Sequence, residues 1–420
     1  MSTRMHKPQR GAATLAIVMA LLLVMGLTAA SLQRGLVFEH RAAAHQLRAT
    51  QAQEAAEAGL EWALASLNGP RIDTQCRPSA DGQALRERVL SLIDAREGRF
   101  VPGFDATRNG APGCVRADGG WQCRCPAQGH AELPAVSGDA LHPAFRVEFG
   151  GAEPAATALR GLIQLTAHGC AHGGANGACS DAAGAEPGHA VARVQAALLP
   201  ALAALPAAPL TATGDVDFSG AAVGLHNADA RTGLLVQAGG VLQIDDARLS
   251  PPPGTPGDAA LVERDARLAA QTQDSLFKRY LGMPRSAFEH LPGVHTLHCS
   301  DDCTSALQQA VRAGRRMLWV TGDLSLRDAT LGSAPEPLLL VADGDIRLGA
   351  GVRFTGFLFG RSLQWQAGGG NDWLRGAAVL AGPVSASGAP DLVRDAEVLH
   401  TLHALTGTYV RVPGSWKDTL

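Results

Sequence analysis

From Gly11 to Gln33 the chain carries no charged residue, and Leu, Val, Ile, Met and Ala dominate. As a helix those 23 residues reach about 34 Å, enough to cross a hydrocarbon core of about 30 Å. Arg4, His6, Lys7 and Arg10 precede the run, and such a basic flank stays on the cytoplasmic side. A secretory signal has a shorter apolar region, about 7–15 residues, before a small-residue cleavage site. Thr28-Ala29-Ala30 offers such a site, but the helical pattern does not stop there. From Leu32 to Leu67 there is no Pro, and the only glycines are Gly35 and Gly59. Ala, Leu, Gln, Glu and Arg, all strong helix formers, fill the stretch. Leu60, Leu64 and Leu67 recur at helical spacing, and Asn68-Gly69-Pro70 stops the helix. The pattern predicts one helix of about 55 residues, apolar all round at first and amphipathic afterwards.

Beyond it the period changes. Residues 71–140 are rich in Gly, Pro and Asp, with a short helix predicted at about 82–96. Alternation over Ala144–Phe149, Gly161–His168 and Ala192–Leu199 predicts strands with one wet face and one buried. Such an antiparallel sheet would cover the Leu60 stripe. In the C-terminal half the apolar cores around Trp319, Leu339, Leu358 and Val379 are spaced by 20, 19 and 21 residues. Gly322-Asp323, Gly344-Asp345, Gly360-Arg361 and Gly382-Pro383 supply turns after them, and Gly and Asp tolerate the backbone such corners need. This period predicts a parallel β-solenoid, with strands at Thr213–Phe218 and Gly239–Ile244 as earlier members. Residues 251–315 interrupt it with a PPPGTPG loop, a helix-favouring stretch from Asp258 to Leu281 and a short helix from Thr304 to Ala313. Tyr409 and Trp416 predict an ordered C-terminus. The fold class expected is α+β, a long helix with an antiparallel sheet followed by a mainly-β domain. The divisions are 1–11, 12–70, 71–200 and 201–420, with the helical insert at 251–315.

Composition narrows the class. The net charge of −3 and 5% aromatic residues give neither the basic field nor the stacking platforms of a nucleic-acid binder. With 49 glycines and 18% charged residues the chain reads as an exported, turn-rich β protein. Eight cysteines, an even number, fit an oxidising compartment. They are Cys76, Cys114, Cys123, Cys125, Cys170, Cys179, Cys299 and Cys303. Cys170 with Cys179 and Cys299 with Cys303 are natural local pairs; the connectivity of the other four stays open. His168, His172 and His189 accompany one pair, and His295 and His298 the other, but the spacings match no zinc module, and no metal or cofactor is expected. Asp301-Asp302 and Asn371-Asp372 are the weak calcium candidates. Asp323, Asp345 and Arg361 offer charges on one face of the repeat, as in solenoid enzymes, though Gly-Asp turns account for the acids. No phosphate loop, nucleophile elbow or zinc-protease motif is present, and the chain reads as a non-enzyme.

The basic leader ending at Gly11, with the apolar run behind it, resembles a type IV prepilin. QAQEAAEAGLEWAL resembles the helix signature of the PilX-type minor pilins, and the resemblance extends over residues 1–200. It implies cleavage between Gly11 and Ala12 by a prepilin peptidase. The apolar segment then stays on the mature chain as an inner-membrane anchor and later as filament core. Major pilins carry Glu at the fifth mature position, where this chain has Ala16, which implies a minor subunit. The partners implied are other minor and major pilins through the helix, the peptidase, the inner membrane, and a surface ligand for the head. The function implied is pilus assembly or initiation at the tip, with adhesion, at the cell surface. Two alternatives stand beside it: a membrane-tethered solenoid enzyme acting on polysaccharide, and a large minor pseudopilin of a type II secretion system.

Overall fold

The computed structural model describes residues 11–93, 101–104, 110–117, 119–136, 141–151, 161–172, 179, 188–299 and 301–419. The fold is α+β, with an apolar N-terminal helix and a mostly-β C-terminal region of several sheets. Helix α1 runs unbroken from Gly11 to Leu67, 57 residues. The helix predicted at 82–96 is shorter. It spans Leu85–Val89 (α2), and Leu90–Ile93 leaves it as a strand paired with Val101–Phe104. The alternating Leu-Ser-Leu-Ile sequence prefers that pairing to another helical turn.

The second half of α1 packs on an antiparallel sheet. Its members are β1 (Gly113–Ala117), β2 (Gly120–Arg124), β3 (Ala144–Gly151), β4 (Ile163–Cys170), β5 (His189–Pro200), β6 (Gly407–Arg411) and β7 (Lys417–Thr419). The order across it is β6-β5-β4-β3-β1-β2, with β7 also on β5. Every second residue of β3, β4 and β5 points at the helix. Phe145, Val147, Leu165, Ala167, Ala192 and Val194 form one core with Ala52, Ala56, Leu60, Ala63 and Leu67. The alternate residues form the outer face. At Gly169 the strand backbone touches the helix: an added Cβ would run into the Ala52 carbonyl and the Ala56 amide. β6 and β7 come from the far end of the chain, so the sheet is completed only after the whole C-terminal region has been built.

That region is a parallel array. In its larger sheet the strands stack in the order Val236–Ala238, Leu210–Ala212, Trp373–Leu380, Arg353–Gly360, Leu338–Ala342, Met317–Thr321 and Val294–His298. A smaller sheet repeats this order: Leu242–Ile244, Val216–Phe218, Val384–Ser387, Leu363–Gln366, Ile346–Leu348 and Leu324–Leu326. The chain therefore enters in the middle. The segment expected as an insert carries it from one end of the stack to the other, and the last turn closes onto the first. Two helices of this segment have separate tasks. α3 (Gln273–Leu281) lays Leu276, Phe277 and Tyr280 on the outer face of the larger sheet, while α4 (Thr304–Arg312) closes one end with Leu307. The larger sheet is thus buried on both faces, as parallel sheets generally are. The apolar period marked the strands correctly but not their register. Trp319 stacks on Val341, not Leu339, and Leu339 on Phe357, not Leu358. A shift of one residue exchanges faces; Trp319 and Leu339 point out toward α3, while Leu358 points into the array.

The two parts meet at Asn68. Its amide nitrogen donates to the Leu64 carbonyl at 3.0 Å and the Tyr409 carbonyl at 2.9 Å. Its amide oxygen accepts from the Tyr409 amide at 2.7 Å and the Thr408 hydroxyl at 3.1 Å. Arg86 donates to the Leu67 carbonyl at 2.8 Å and Arg315 to the Asn68 carbonyl at 3.2 Å. Two cations thereby meet the negative end of the helix dipole. Tyr409 is buried in the α1 core, and burial raises its phenol to about 12. Trp416, expected to be covered, is instead 45% exposed: the tail runs along the sheet edge and turns this ring outward.

Two substitutions test the packing. Asn68→Ala strands the Tyr409 amide and the Thr408 hydroxyl, at about 1–3 kcal/mol for each buried group. We expect a loss of about 2–4 kcal/mol in denaturant unfolding, read as a lower midpoint. Gly169→Val overpacks the helix–sheet contact and lowers stability by at least about 1–3 kcal/mol. A midpoint equal to that of the parent in either variant would contradict the packing described.

Candidate membrane-inserting stem

The two halves of α1 differ in one respect above all. Over Thr14–Ser31 the helix is apolar enough to cross a membrane, and none of that window is buried within the chain. Leu15 is 63% exposed and Met19 66%, whereas Ala52 and Leu67 are at 0%. Burying apolar surface is worth about 25 cal/mol per Å², and contiguous apolar patches of this extent mark interaction or membrane sites. The hydroxyls inside the window are satisfied locally. Thr28 donates to the Val24 and Met25 carbonyls at 3.0 Å, and Ser31 to the Thr28 carbonyl at 2.8 Å. These two groups need no water, which is the condition for polar groups in hydrocarbon. Charged residues return at Arg34, Glu39 and Arg41, where the segment would leave it. Gly11 and Ala12 stand in the first turn of α1, and no acidic residue lies in that turn. The basic leader lies outside the described residues.

All eight cysteines are paired: Cys76–Cys125, Cys114–Cys123, Cys170–Cys179 and Cys299–Cys303. Cys114 and Cys123 face each other across β1 and β2. The Cys76–Cys125 bond staples the irregular segment after α1 to the end of β2. Beside the third bond, His168 and His189 lie with ring centroids 5.9 Å apart. His168 faces Glu148 at 3.7 Å, and His298 meets the Thr321 hydroxyl at 2.7 Å. Among the described residues no three His, Cys, Asp or Glu side chains are placed to share an ion. The calcium candidates are engaged in turns. Asp302 accepts from the Thr304 amide at 2.8 Å and from Arg327 at 3.1 Å, and the buried Asp372 accepts from the Gly368 amide.

The charges on the array likewise hold its corners. Asp323 accepts the Asp345 amide of the next turn at 2.9 Å. Asp345 takes a two-pronged bond from Arg361 at 2.8 and 2.7 Å and a third from the Ser362 hydroxyl. Arg361, then Ser362, lowers the Asp345 carboxyl to about 2. Such a carboxylate stabilises the fold fully above its unfolded value of about 3.9 and loses that contribution as pH falls toward 2. Asp345→Asn should therefore melt below the parent at pH 7, and the gap should close between about pH 4 and pH 2. A gap independent of pH, followed by circular dichroism, would remove the role of this ion pair.

The residues missed by sequence reasoning are Asn68, Arg86 and Arg315. Asn68 reads as a helix stop, and nothing local shows that its amide also receives a strand from the opposite end of the chain. Among solved structures the chain is similar to the competence-associated pilin ComZ from Thermus thermophilus, at 11% identity over 88% of this chain and 97% of that one, with a TM-score of 0.22. A likeness at that level carries no argument for a shared fold. No protein-family model and no curated protein matches the chain.

Proposed function

We propose that the chain is a PilX-like minor pilin of a type IV pilus. The observation that carries this reading is α1: one continuous helix, bare and apolar over Thr14–Ser31, packed on its own sheet over Ala52–Leu67. A signal peptide has no reason to continue into the core of the domain it exports. An anchor later drawn into a bundle of like helices does. Gly11, after a basic leader, sits where a prepilin peptidase would cut, and Ala16 in place of Glu suits a subunit made in few copies. The subunit starts in the inner membrane with its head exported and ends at the cell surface, with other pilins packed along the apolar half.

We read the C-terminal region as a β-solenoid with permuted chain order. Uniformly parallel pairing and turns that accept the next turn's amide support this. A head of that bulk fits the tip of a filament better than its shaft, which favours a role in initiating assembly and in adhesion. It acts as a binding and assembly element, not as an enzyme, since its aligned acids are engaged in corners.

N-terminal sequencing of the protein from membranes and sheared filaments tests the reading. The expected start is Ala12, abolished when the leader peptidase is deleted. A start near Ser31 would mean ordinary secretory cleavage and end the pilin proposal.

A further inference from the structure

The outer face of the sheet on α1 carries a row that nothing in the stem accounts for. Glu148 on β3 lies opposite Thr166 on β4, Thr166 opposite Arg193 on β5, and Arg193 opposite Lys417 on β7. Their neighbours Leu165, Ala167, Ala192 and Val194 point the other way, into the core, so the row faces outward. It lines a groove of about 510 Å³, to which Gln164 and His168 also contribute. That size lies within the usual range of ligand sites, about 300–1,000 Å³. With strands about 4.8 Å apart, the row is about 14 Å long.

The chemistry of the row is uneven. Arg193 and Lys417 are like charges directly opposite one another, an arrangement that destabilises an antiparallel pair. Neither makes an ion pair or a side-chain hydrogen bond among the described residues, and no acid lies between them. The Lys417 strand is nevertheless held in place, because the Ser415 hydroxyl accepts from the Gln195 amide at 3.1 Å. The repulsion is thus built into the sheet and is relieved by an anion placed between the two. A guanidinium fork beside an ammonium suits a carboxylate. At the other end of the row Glu148 stands as an acceptor; His168, 3.7 Å away, lowers its carboxyl, keeping it ionised. A carboxylate there accepts hydroxyl protons.

We propose that this groove binds an acidic saccharide, with Arg193 and Lys417 holding a uronate carboxylate and Thr166, Gln164 and Glu148 taking ring hydroxyls. The groove lies away from the apolar half of α1, and the inference stands whether or not the chain is a pilin.

Calorimetric titration of the full chain in detergent tests it, with trimers of galacturonate, glucuronate, mannuronate and guluronate as probes. A neutral galactose trimer and a short oligothymidylate serve as comparisons. At least one uronate trimer should bind. Its affinity should fall with added salt and drop ten-fold or more in the Arg193→Gln, Lys417→Gln double variant. That variant should melt at or above the parent, since a repulsion has been removed. Four findings each overturn the proposal: no uronate binding, binding unchanged in the double variant, equal binding of the neutral trimer, or tighter binding of the oligothymidylate. A clearly lower melting temperature in the double variant would refute the argument from repulsion.

Discussion

One helix has to satisfy two surroundings, and the rest of the molecule is arranged around that constraint. α1 is continuous, so its orientation in the first half is fixed by whatever grips the second. The grip is a sheet that presents Phe145, Leu165 and Val194 to Ala52, Leu60 and Ala63, with Gly169 bringing strand and helix backbones together. Small residues on both sides make the contact close.

The head is coupled to the joint by its own chain ends. The first strand of the array follows directly from β5, and the last helix, α5 (Ala396–Ala404), leads back to β6 on the same sheet. The long crossing between the array's two ends is what makes this possible. It leaves the closing turn of the stack, and not a loose terminus, beside the stem. Asn68 then binds the returning strand at the spot where α1 ends, and Arg86 and Arg315 neutralise the helix terminus there. Completion of the stem sheet by β6 and β7 is therefore conditional on folding of the head.

Much of this was legible in the chain. A charge-free run continuing into an amphipathic one specifies α1, and period-two alternation specifies β3, β4 and β5. The even cysteine count in a Gly-rich chain points to disulfides, but spacing gives only the two local pairs; Cys76–Cys125 and Cys114–Cys123 appear only in the fold. What could not be read are the partners of each strand. A pattern such as Leu-Leu-Leu-Val records that both faces are buried, not which residue stacks on which, so the pairing of Trp319 with Val341 and of Leu358 with Ala378 is not in the spacing. The permuted order is equally hidden, because Leu210–Ala212 and Ala378–Leu380 carry no mark of their pairing. Trp416 misled for a different reason: the cost of an exposed indole is real, but an edge strand can bear it. The Glu148–Lys417 row falls between these cases. Its polar positions are visible in the alternation, but their alignment exists only once β7 has returned.

The central claim is that the partner of the first half of α1 lies outside the chain. Membrane flotation of the full protein beside a chain beginning at residue 32 measures this directly. The account predicts that the full protein floats with vesicles and resists carbonate, while the shortened chain stays in the soluble fraction, folded and monomeric. A shortened chain that aggregates, or a full chain that carbonate releases, would mean that the apolar half is covered by the protein itself.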